Sequence, residues 1–156
     1  MTNPDTPPAL EFVFAAHVHV AAPLDLGNVG KGARRIVPIG GGDFAGPRIR
    51  GSVLPGGADW QIIRDDGVAE LEARYTLRTD DDALIYVRNL ARRHGPPEVM
   101  AALAAGRPVD PARYYFRGVT FFETSAARYD WLTKTIIVCT GEREPAGVKL
   151  KFFQLL

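Results

Sequence analysis

The sequence has little cysteine, no excess of either charge and no long apolar run, and each absence excludes a class of protein. A single cysteine, Cys139, excludes an internal disulfide and a zinc site built from several cysteines. Nineteen basic and eighteen acidic residues leave a formal net charge of +1, which disfavours nucleic acid or an anionic membrane as a partner. No segment reaches the roughly 18 apolar residues of a membrane-spanning helix, and the first residues do not resemble a signal peptide. We therefore expect a cytoplasmic protein.

Most motifs of cofactor and nucleophile chemistry are missing as well. The stretch GNVGKG at 27–32 does not have the spacing of the dinucleotide-binding pattern and lacks the Lys-Ser/Thr ending of a phosphate loop. Neither a G-x-S-x-G nucleophile motif nor an H-E-x-x-H metal motif occurs. Cys139 lies in the apolar run IIVCTG without a basic neighbour, which is typical of a small core residue. We therefore expect a protein without a cofactor.

Glycine and proline, in contrast, are abundant and separate short alternating segments. Sixteen glycines and twelve prolines among 156 residues indicate many tight turns. The stretch LEFVFAAHVHVA at 10–21 alternates in apolar character, as a half-buried strand does. Residues 59–64 and 67–79 are predicted to form a hairpin that turns at Asp65-Asp66-Gly67. The segment PPEVMAALAAG at 96–106 has the starting and ending residues of a helix.

These elements predict one β domain over residues 10–156, preceded by a loose tail over residues 1–9. We count about eight or nine strands at hairpin spacing and one short helix, which favours a closed barrel or a sandwich. Two adjacent aromatic pairs, Tyr115-Phe116 and Phe121-Phe122, place large side chains on both faces of one strand. Because a barrel wall separates an interior from a second packing surface, we predict a mainly all-β fold with a single antiparallel β-barrel.

Two acidic residues are candidates for proton transfer because aromatic residues surround them. Asp59 follows a Pro-Gly-Gly turn and precedes Trp60, and Glu123 shares a strand face with Tyr115 and Arg117. Apolar surroundings raise the pKa of a carboxyl group, whereas a nearby arginine lowers it. The structural alternative is that Asp59 caps the turn and that Glu123 pairs with Arg117.

Tyr86 and Arg88 are candidates for holding the oxygen on which negative charge develops. They share one face of the predicted strand ALIYVRN, and tyrosine and arginine together can polarise a carbonyl or enolate oxygen. The alternation does not reveal which face of this strand points into the barrel, and in the structural alternative Tyr86 only packs. Four further residues are predicted to bind the substrate. They are Trp60, Tyr115, Arg117 and Trp131.

His17 and His19 are the best candidates for metal ligands, because residues two apart on a strand project to the same side. A metal site needs a third ligand, and no carboxylate or further histidine is tied to this pair by its spacing. We therefore predict that the two histidines line the pocket without a metal. A metal-dependent barrel enzyme built on them is kept as an alternative.

The chain resembles the family known as domain of unknown function 3237, also called UPF0311. The resemblance implies a small, mainly antiparallel β-barrel that is broadly lipocalin-like. It assigns no catalytic residue, and the occurrence of members as stand-alone proteins in bacteria and fungi suits a metabolic role. The stretches that carry it are LEFVF at 10–14, PIGGGDFAGPRIRGSVLPGGADWQ at 38–61, VAELEARYTLRTDDDALIYVRN at 68–89, RHGPPEV at 93–99, YYFRGVTFFET at 114–124 and YDWLTKTIIVCTGER at 129–143.

Two acids, two arginines and several aromatic residues, without a nucleophile or metal motif, favour acid–base catalysis without a cofactor. The predicted reaction is an isomerisation, cyclisation, hydration or elimination beside a carbonyl group of a hydrophobic, aromatic or polyketide-like molecule. Asp59 or Glu123 moves the proton in this hypothesis. The alternative is a carrier that binds the same small molecule without converting it. The surplus of apolar strand faces is compatible with a homodimer.

Overall fold

The computed structural model describes residues 3–156, which form ten β-strands, one α-helix and two 3-10 helices. Of the predicted tail over residues 1–9, Met1 and Thr2 lie outside the described residues. None of the helices in the described part of the chain has the length and apolar character needed to cross a bilayer. The strands are β1 (Leu10–Val20), β2 (Leu24–Asn28), β3 (Ala33–Ala45), β4 (Arg50–Val53), β5 (Ala58–Ile63), β6 (Ala69–Thr79), β7 (Leu84–His94), β8 (Tyr115–Glu123), β9 (Ile137–Glu144) and β10 (Gly147–Leu155).

The strands pair antiparallel and close into a barrel, as predicted. The order β1-β10-β9-β8-β7-β6 continues through β4 and β5, which both pair with β6 on one side and β3 on the other. Because β4 and β5 share one position, pairing of β3 with β1 closes a ring of eight strand positions. Strand β2 lies outside this ring, beside the first part of β3.

Local sequence explains the hairpin between β5 and β6. Gly67 has a φ of +87°, a conformation that glycine adopts without steric cost. The Asp66 carboxylate accepts a hydrogen bond from the Val68 amide at 3.1 Å, and the Arg64 amide donates to the Val68 carbonyl at 2.9 Å. The predicted hairpin is therefore confirmed, and it places Asp59 near the start of β5.

The predicted helix is confirmed as α1 (Pro97–Ala104). Proline suits the first turn because its missing amide would have no partner there, and Gly106, with a φ of +74°, follows the helix end. Val99 and Leu103 are the buried residues of the helix. Because α1 follows β7 directly, it lies at the end of the barrel that also holds the turn between β9 and β10.

The opposite end of the barrel is filled by phenylalanine. The ring of Phe14 lies 4.4 Å from that of Phe152 and 5.2 Å from that of Phe44, measured between centroids, and all three side chains are almost fully buried. The second 3-10 helix (Ala127–Thr133) adds the buried side chain of Leu132. The first 3-10 helix (Pro111–Arg113) precedes β8. This end of the barrel is therefore the densely packed, apolar end.

Replacing Gly42 with alanine should destabilise the protein, because Gly42 lies where β3 pairs with β1 and β4. Its φ is +143°, and a Cβ atom would lie 1.9 Å from the backbone oxygen of His17. We expect the free energy of unfolding, measured by urea denaturation, to fall by about 2 kcal/mol or more.

The matched control is Gly56→Ala, because Gly56 also has a positive φ, +106°, but a Cβ atom there would meet nothing within 4 Å. The control should therefore report the backbone strain alone. Equal losses in the two variants would contradict the close approach of β3 to β1.

Candidate active site

The barrel interior contains a cavity of about 50 Å³ toward the end that carries α1. Its wall is mostly apolar and comes from β1, β3, β5, β6, β7, β8, β9 and β10. Half-buried residues, among them Val20, Arg143 and Val148, mark the side on which the cavity approaches solvent. The polar side chains of the wall are Asp59, Gln61, Tyr75, Asn89, Arg93 and Arg143.

Asp59 reaches the cavity because side chains alternate along β5. Asp59 and Gln61 point inward, whereas Trp60 lies between them on the outer face and is 37% exposed. The Gln61 amide Nε2 donates a hydrogen bond to Asp59 Oδ2 at 2.8 Å. The other carboxylate oxygen, Oδ1, is buried and has no hydrogen-bond partner among the described residues.

Burial raises the pKa of the Asp59 carboxyl group above its ordinary value of 3.8. The hydrogen bond from Gln61 and the charges of Arg93, Arg143 and Arg35 lower it, but by less. Within residues 3–156, no arginine nitrogen comes within 4.0 Å of an Asp59 carboxylate oxygen. The carboxyl group is therefore held in apolar surroundings, near positive charge but without an ion pair.

Two arginines face the same cavity. Arg93 is only 7% exposed, and the Nε atoms of both Arg93 and Arg143 are buried without a hydrogen-bond partner. Burial and the neighbouring charge of Arg143 lower the pKa of Arg93 to about 10, so this guanidinium remains charged at neutral pH. Burial likewise lowers the pKa of Arg143, and the charge of Arg35 adds to the effect.

The remaining polar groups of the cavity are neutral. Burial raises the pKa of Tyr75 above its ordinary value of 10, so its hydroxyl group keeps its proton. The side-chain oxygen Oδ1 of Asn89 accepts hydrogen bonds from Thr120 Oγ1 at 2.9 Å and from Cys139 Sγ at 3.4 Å. Burial also raises the pKa of the Cys139 thiol, and this cysteine is a core residue, as predicted.

Of the four predicted catalytic residues, only Asp59 lines this cavity. Glu123 is exposed on the outer face of β8, and Tyr86 and Arg88 are half-buried on the outer face of β7. The inward residues of β7 are instead Ile85, Val87, Asn89, Ala91 and Arg93, each at most 7% exposed. The structure therefore separates Asp59 from the other three predicted residues by the barrel wall.

The outer face has its own charged and aromatic contacts. Arg88 Nε lies 3.2 Å from Glu72 Oε1, and Tyr86 is the register partner of Glu123. The guanidinium carbon of Arg117 lies 5.7 Å from the ring centre of Tyr115, and both residues are exposed. These predicted substrate-binding residues lie together outside the barrel and do not meet Asp59.

Trp131 and the two histidines also lie away from the cavity. The guanidinium carbon of Arg48 is 3.8 Å from the Trp131 ring centre, at the end of the barrel opposite to α1. His17 Nδ1 lies 3.2 Å from Glu144 Oε2 on the outside of β1, and His19 is exposed. Within residues 3–156, no three His, Cys, Asp or Glu side chains come together in a group that could hold a metal ion.

The sequence reasoning missed the polar residues that surround Asp59. Gln61 could have been found, because it lies two positions after Asp59 on the same strand and therefore on the same face. Arg93 and Arg143 had no such signal, since they are in β7 and β9 and approach Asp59 only when the barrel closes.

Comparison with protein families and relatives shows that the chain is similar to a known group of proteins. The family of proteins of unknown function DUF3237 matches residues 8–155. The UPF0311 protein RPA1785 from Rhodopseudomonas palustris is 42% identical over 151 residues, which cover 96% of this chain and 99% of the relative. Its crystal structure superposes with a TM-score of 0.94 at 40% identity, covering 97% of this chain and 99% of the other.

Two further comparisons extend the range of relatives. A β-barrel-like protein from Acinetobacter baumannii has a TM-score of 0.86 at 40% identity, with both chains fully covered. A hydroalkoxylation enzyme from Penicillium herquei is 28% identical over 127 residues, which cover 81% of this chain and 70% of the enzyme. The crystal structure of an enzyme from the same fungus has a TM-score of 0.74 at 23% identity, again over both full chains, and this likeness shows a shared fold.

The raised pKa of Asp59 predicts how Asp59→Asn changes stability with pH. The native state binds this proton more tightly than the unfolded chain, so the stability of the unmodified protein falls as pH rises from 3.8 through the folded-state pKa. The variant lacks this loss and can still accept the hydrogen bond from Gln61. We expect its free energy of unfolding to exceed that of the unmodified protein at pH 7, and the difference to shrink toward pH 4.

Urea denaturation at several pH values measures this difference. Asp43→Asn removes an exposed carboxylate from β3 and serves as the control, with little effect expected at any pH. A variant Asp59→Asn that is less stable than the unmodified protein at pH 7 would contradict the burial argument.

Proposed function

The chain belongs to the DUF3237 family, and we propose that it is an acid–base enzyme in which Asp59 moves a proton to and from a hydrophobic small molecule. The observation that carries the proposal is the Asp59 carboxyl group, whose Oδ1 is buried and free of hydrogen bonds in a mostly apolar cavity. Burial raises the pKa of this group, and a carboxyl group with a raised pKa holds its proton to a higher pH than an exposed one and can both donate it and take it back.

The fungal relative suggests a reaction of this type. A hydroalkoxylation adds the O–H bond of a hydroxyl group across a C=C bond. In the proposed step, protonated Asp59 gives its proton to one carbon of the double bond while the substrate hydroxyl oxygen bonds to the other carbon. The Asp59 carboxylate then takes the hydroxyl proton, so the enzyme returns to its starting state and the reaction needs no oxidant, reductant or cofactor.

The same two proton transfers serve the wider class of reactions. Isomerisation, cyclisation, hydration and elimination beside a carbonyl group all require a proton to be added to one carbon or oxygen and removed from another. The chemistry of the site thus supports the class more strongly than any single member of it.

The cavity wall supports a hydrophobic substrate. Apolar residues from six strands, such as Val37, Leu71 and Leu150, surround the carboxyl group. The cavity volume of about 50 Å³ is smaller than the roughly 150 Å³ that holds a benzene ring. In the proposal the reacting double bond or oxygen therefore lies inside, and the rest of an aromatic or polyketide-like molecule extends through the half-buried side of the cavity.

Two neutral neighbours have supporting roles in the proposal. Gln61 holds Asp59 Oδ2 by its hydrogen bond of 2.8 Å, which leaves Oδ1 directed at the substrate. Tyr75 keeps its proton because burial raises its pKa, and its hydroxyl group can donate a hydrogen bond to a carbonyl or enolate oxygen.

Asp59→Asn should abolish turnover. The test incubates the protein in D₂O with ortho-prenylphenol and with a panel of aromatic enones, and measures cyclised or hydrated products that carry one new C–D bond by mass spectrometry. Because general acid–base catalysis contributes about 10²- to 10⁴-fold, we expect the variant to be slower by that factor while it still binds the substrate.

Two further variants make the result specific. Asp43→Asn, an exposed change on β3, should leave the rate unchanged. Glu123→Gln tests the other predicted acid. Loss of turnover in this variant, with full turnover in Asp59→Asn, would show that the reaction takes place on the outer face of the barrel. A ligand that binds both the unmodified protein and Asp59→Asn and is recovered without deuterium would support the carrier.

A further inference from the structure

We infer that Arg93 and Arg143 form an anion-binding subsite beside Asp59, and that the molecule bound in the barrel carries an oxygen anion, either a carboxylate or an ionised phenol or enol. This inference rests on the proposed function for the role of Asp59 and adds the class of substrate. The guanidinium groups of both arginines line the cavity, but the proposed acid–base step does not involve them.

The first observation is that both guanidinium groups are incompletely satisfied. Arg93 Nε and Arg143 Nε are buried and have no hydrogen-bond partner within residues 3–156. Buried polar atoms in proteins are almost always hydrogen-bonded, and a buried charge without a partner is costly. Both residues line the same cavity, as does Gln61, whose Oε1 is a buried acceptor without a partner in the described residues. A ligand oxygen in this cavity can therefore accept hydrogen bonds from both guanidinium groups.

The second observation is the charge balance of the cavity. Its wall contains two arginines and a single carboxyl group, Asp59, and the burial of Asp59 favours the uncharged form of that group. The positive charge of Arg35 also acts on Asp59, Arg93 and Arg143. The site consequently carries an excess of positive charge in surroundings of low polarity, where an anion is bound strongly.

The third observation is that Asp59 does not neutralise these arginines. No arginine nitrogen in the described part of the chain comes within 4.0 Å of its carboxylate oxygens, and Asp59 Oδ1 is itself without a partner. The carboxyl group and the guanidinium groups thus face the same space from different strands. A ligand with an anionic oxygen toward the arginines and a reacting carbon toward Asp59 supplies an acceptor for the unpaired guanidinium atoms.

This arrangement also has a consequence for the chemistry. An anionic oxygen held by two guanidinium groups cannot rotate freely, because each N–H group has a fixed direction. The reacting carbon is then presented to Asp59 in one orientation. The same positive charge stabilises an enolate or phenolate oxygen as negative charge develops on it.

Binding of four simple probes tests the subsite without any turnover. Benzoate and ionised 4-nitrophenol carry an oxygen anion on an aromatic ring, and benzamide and 4-nitroanisole are their neutral counterparts. We expect the unmodified protein to bind at least one anion about tenfold or more tightly than its neutral counterpart in calorimetric titrations. For 4-nitrophenol, the visible absorbance of the phenolate should also show that the bound form is ionised.

Arg143→Met and Arg93→Met should each weaken binding of the anionic probe by about tenfold. The affinity for its neutral counterpart should not change. Retained binding of the neutral probe shows that the cavity is intact in each variant. Arg50→Met removes an exposed guanidinium group that pairs with Asp80 at 3.1 Å and is the matched control, with no change expected for any probe.

The outcomes separate the two possible ligand groups and the two proposals. Tight binding of benzoate indicates a carboxylate substrate. Tight binding of 4-nitrophenolate alone indicates a substrate with an ionised phenol or enol. The proposed subsite would be wrong if the neutral probes bound as tightly as both anions. It would also be wrong if both arginine variants kept the anion preference of the unmodified protein. Asp59→Asn should keep the anion preference, so a failure of the proton-transfer role leaves this binding result unchanged.

Discussion

Backbone pairing between β1 and β3 closes the sheet, and the position of every side chain of the candidate site depends on that closure. In an open sheet both faces of β5, β7 and β9 would meet solvent or another layer. Once closed, the alternation along each strand assigns one set of side chains to a narrow interior and the other to the outside. Gly42 permits the close approach, because any Cβ atom there would meet the backbone of β1. The site is therefore a product of the barrel and not of any one segment.

The interior has two parts with opposite contributions to stability. Phenylalanine rings from β1, β3, β8 and β10 fill the end near the second 3-10 helix, and burial of such apolar surface is the main favourable contribution to folding. At the other end, a carboxyl group and two guanidinium groups have buried atoms without partners, which opposes folding. The well-packed end offsets the cost of burying these groups.

The outer face of the barrel is also distinctive. Phe12 packs edge-on against Phe153 at 5.9 Å, and Phe12, Val119 and Phe121 are each 37% or more exposed. Val138 links these strands, since it pairs in register with both Val119 and Phe153. An apolar outer face of this kind is compatible with the predicted homodimer, which stays a prediction.

Much of the fold could be predicted from the amino-acid sequence, because alternation and turn chemistry are local properties. The β5–β6 hairpin, the helix after Pro96 and the barrel followed from residues that lie close together in the chain, and the resemblance to a known family implied the same barrel. Asp59 could also be singled out, since a carboxyl group between a glycine turn and a tryptophan is visible in one short segment. Gln61 could have been added by the two-residue period alone.

The inward faces of the strands and the contacts between distant residues are evident only in the folded barrel. Alternation defines two faces of a strand but not the direction in which each one points, and β7 and β8 carry large apolar side chains on both. The predicted residues of these two strands therefore share faces as expected, yet those faces are the outer ones. They are Tyr86, Arg88, Tyr115, Arg117 and Glu123. The charged neighbours of Asp59 come from strands far apart in the chain, because pairing around the closed ring brings Arg93 and Arg143 to the same cavity. Such long-range pairing has no local signature in the sequence, and for that reason the arginine pair became visible only in the folded barrel.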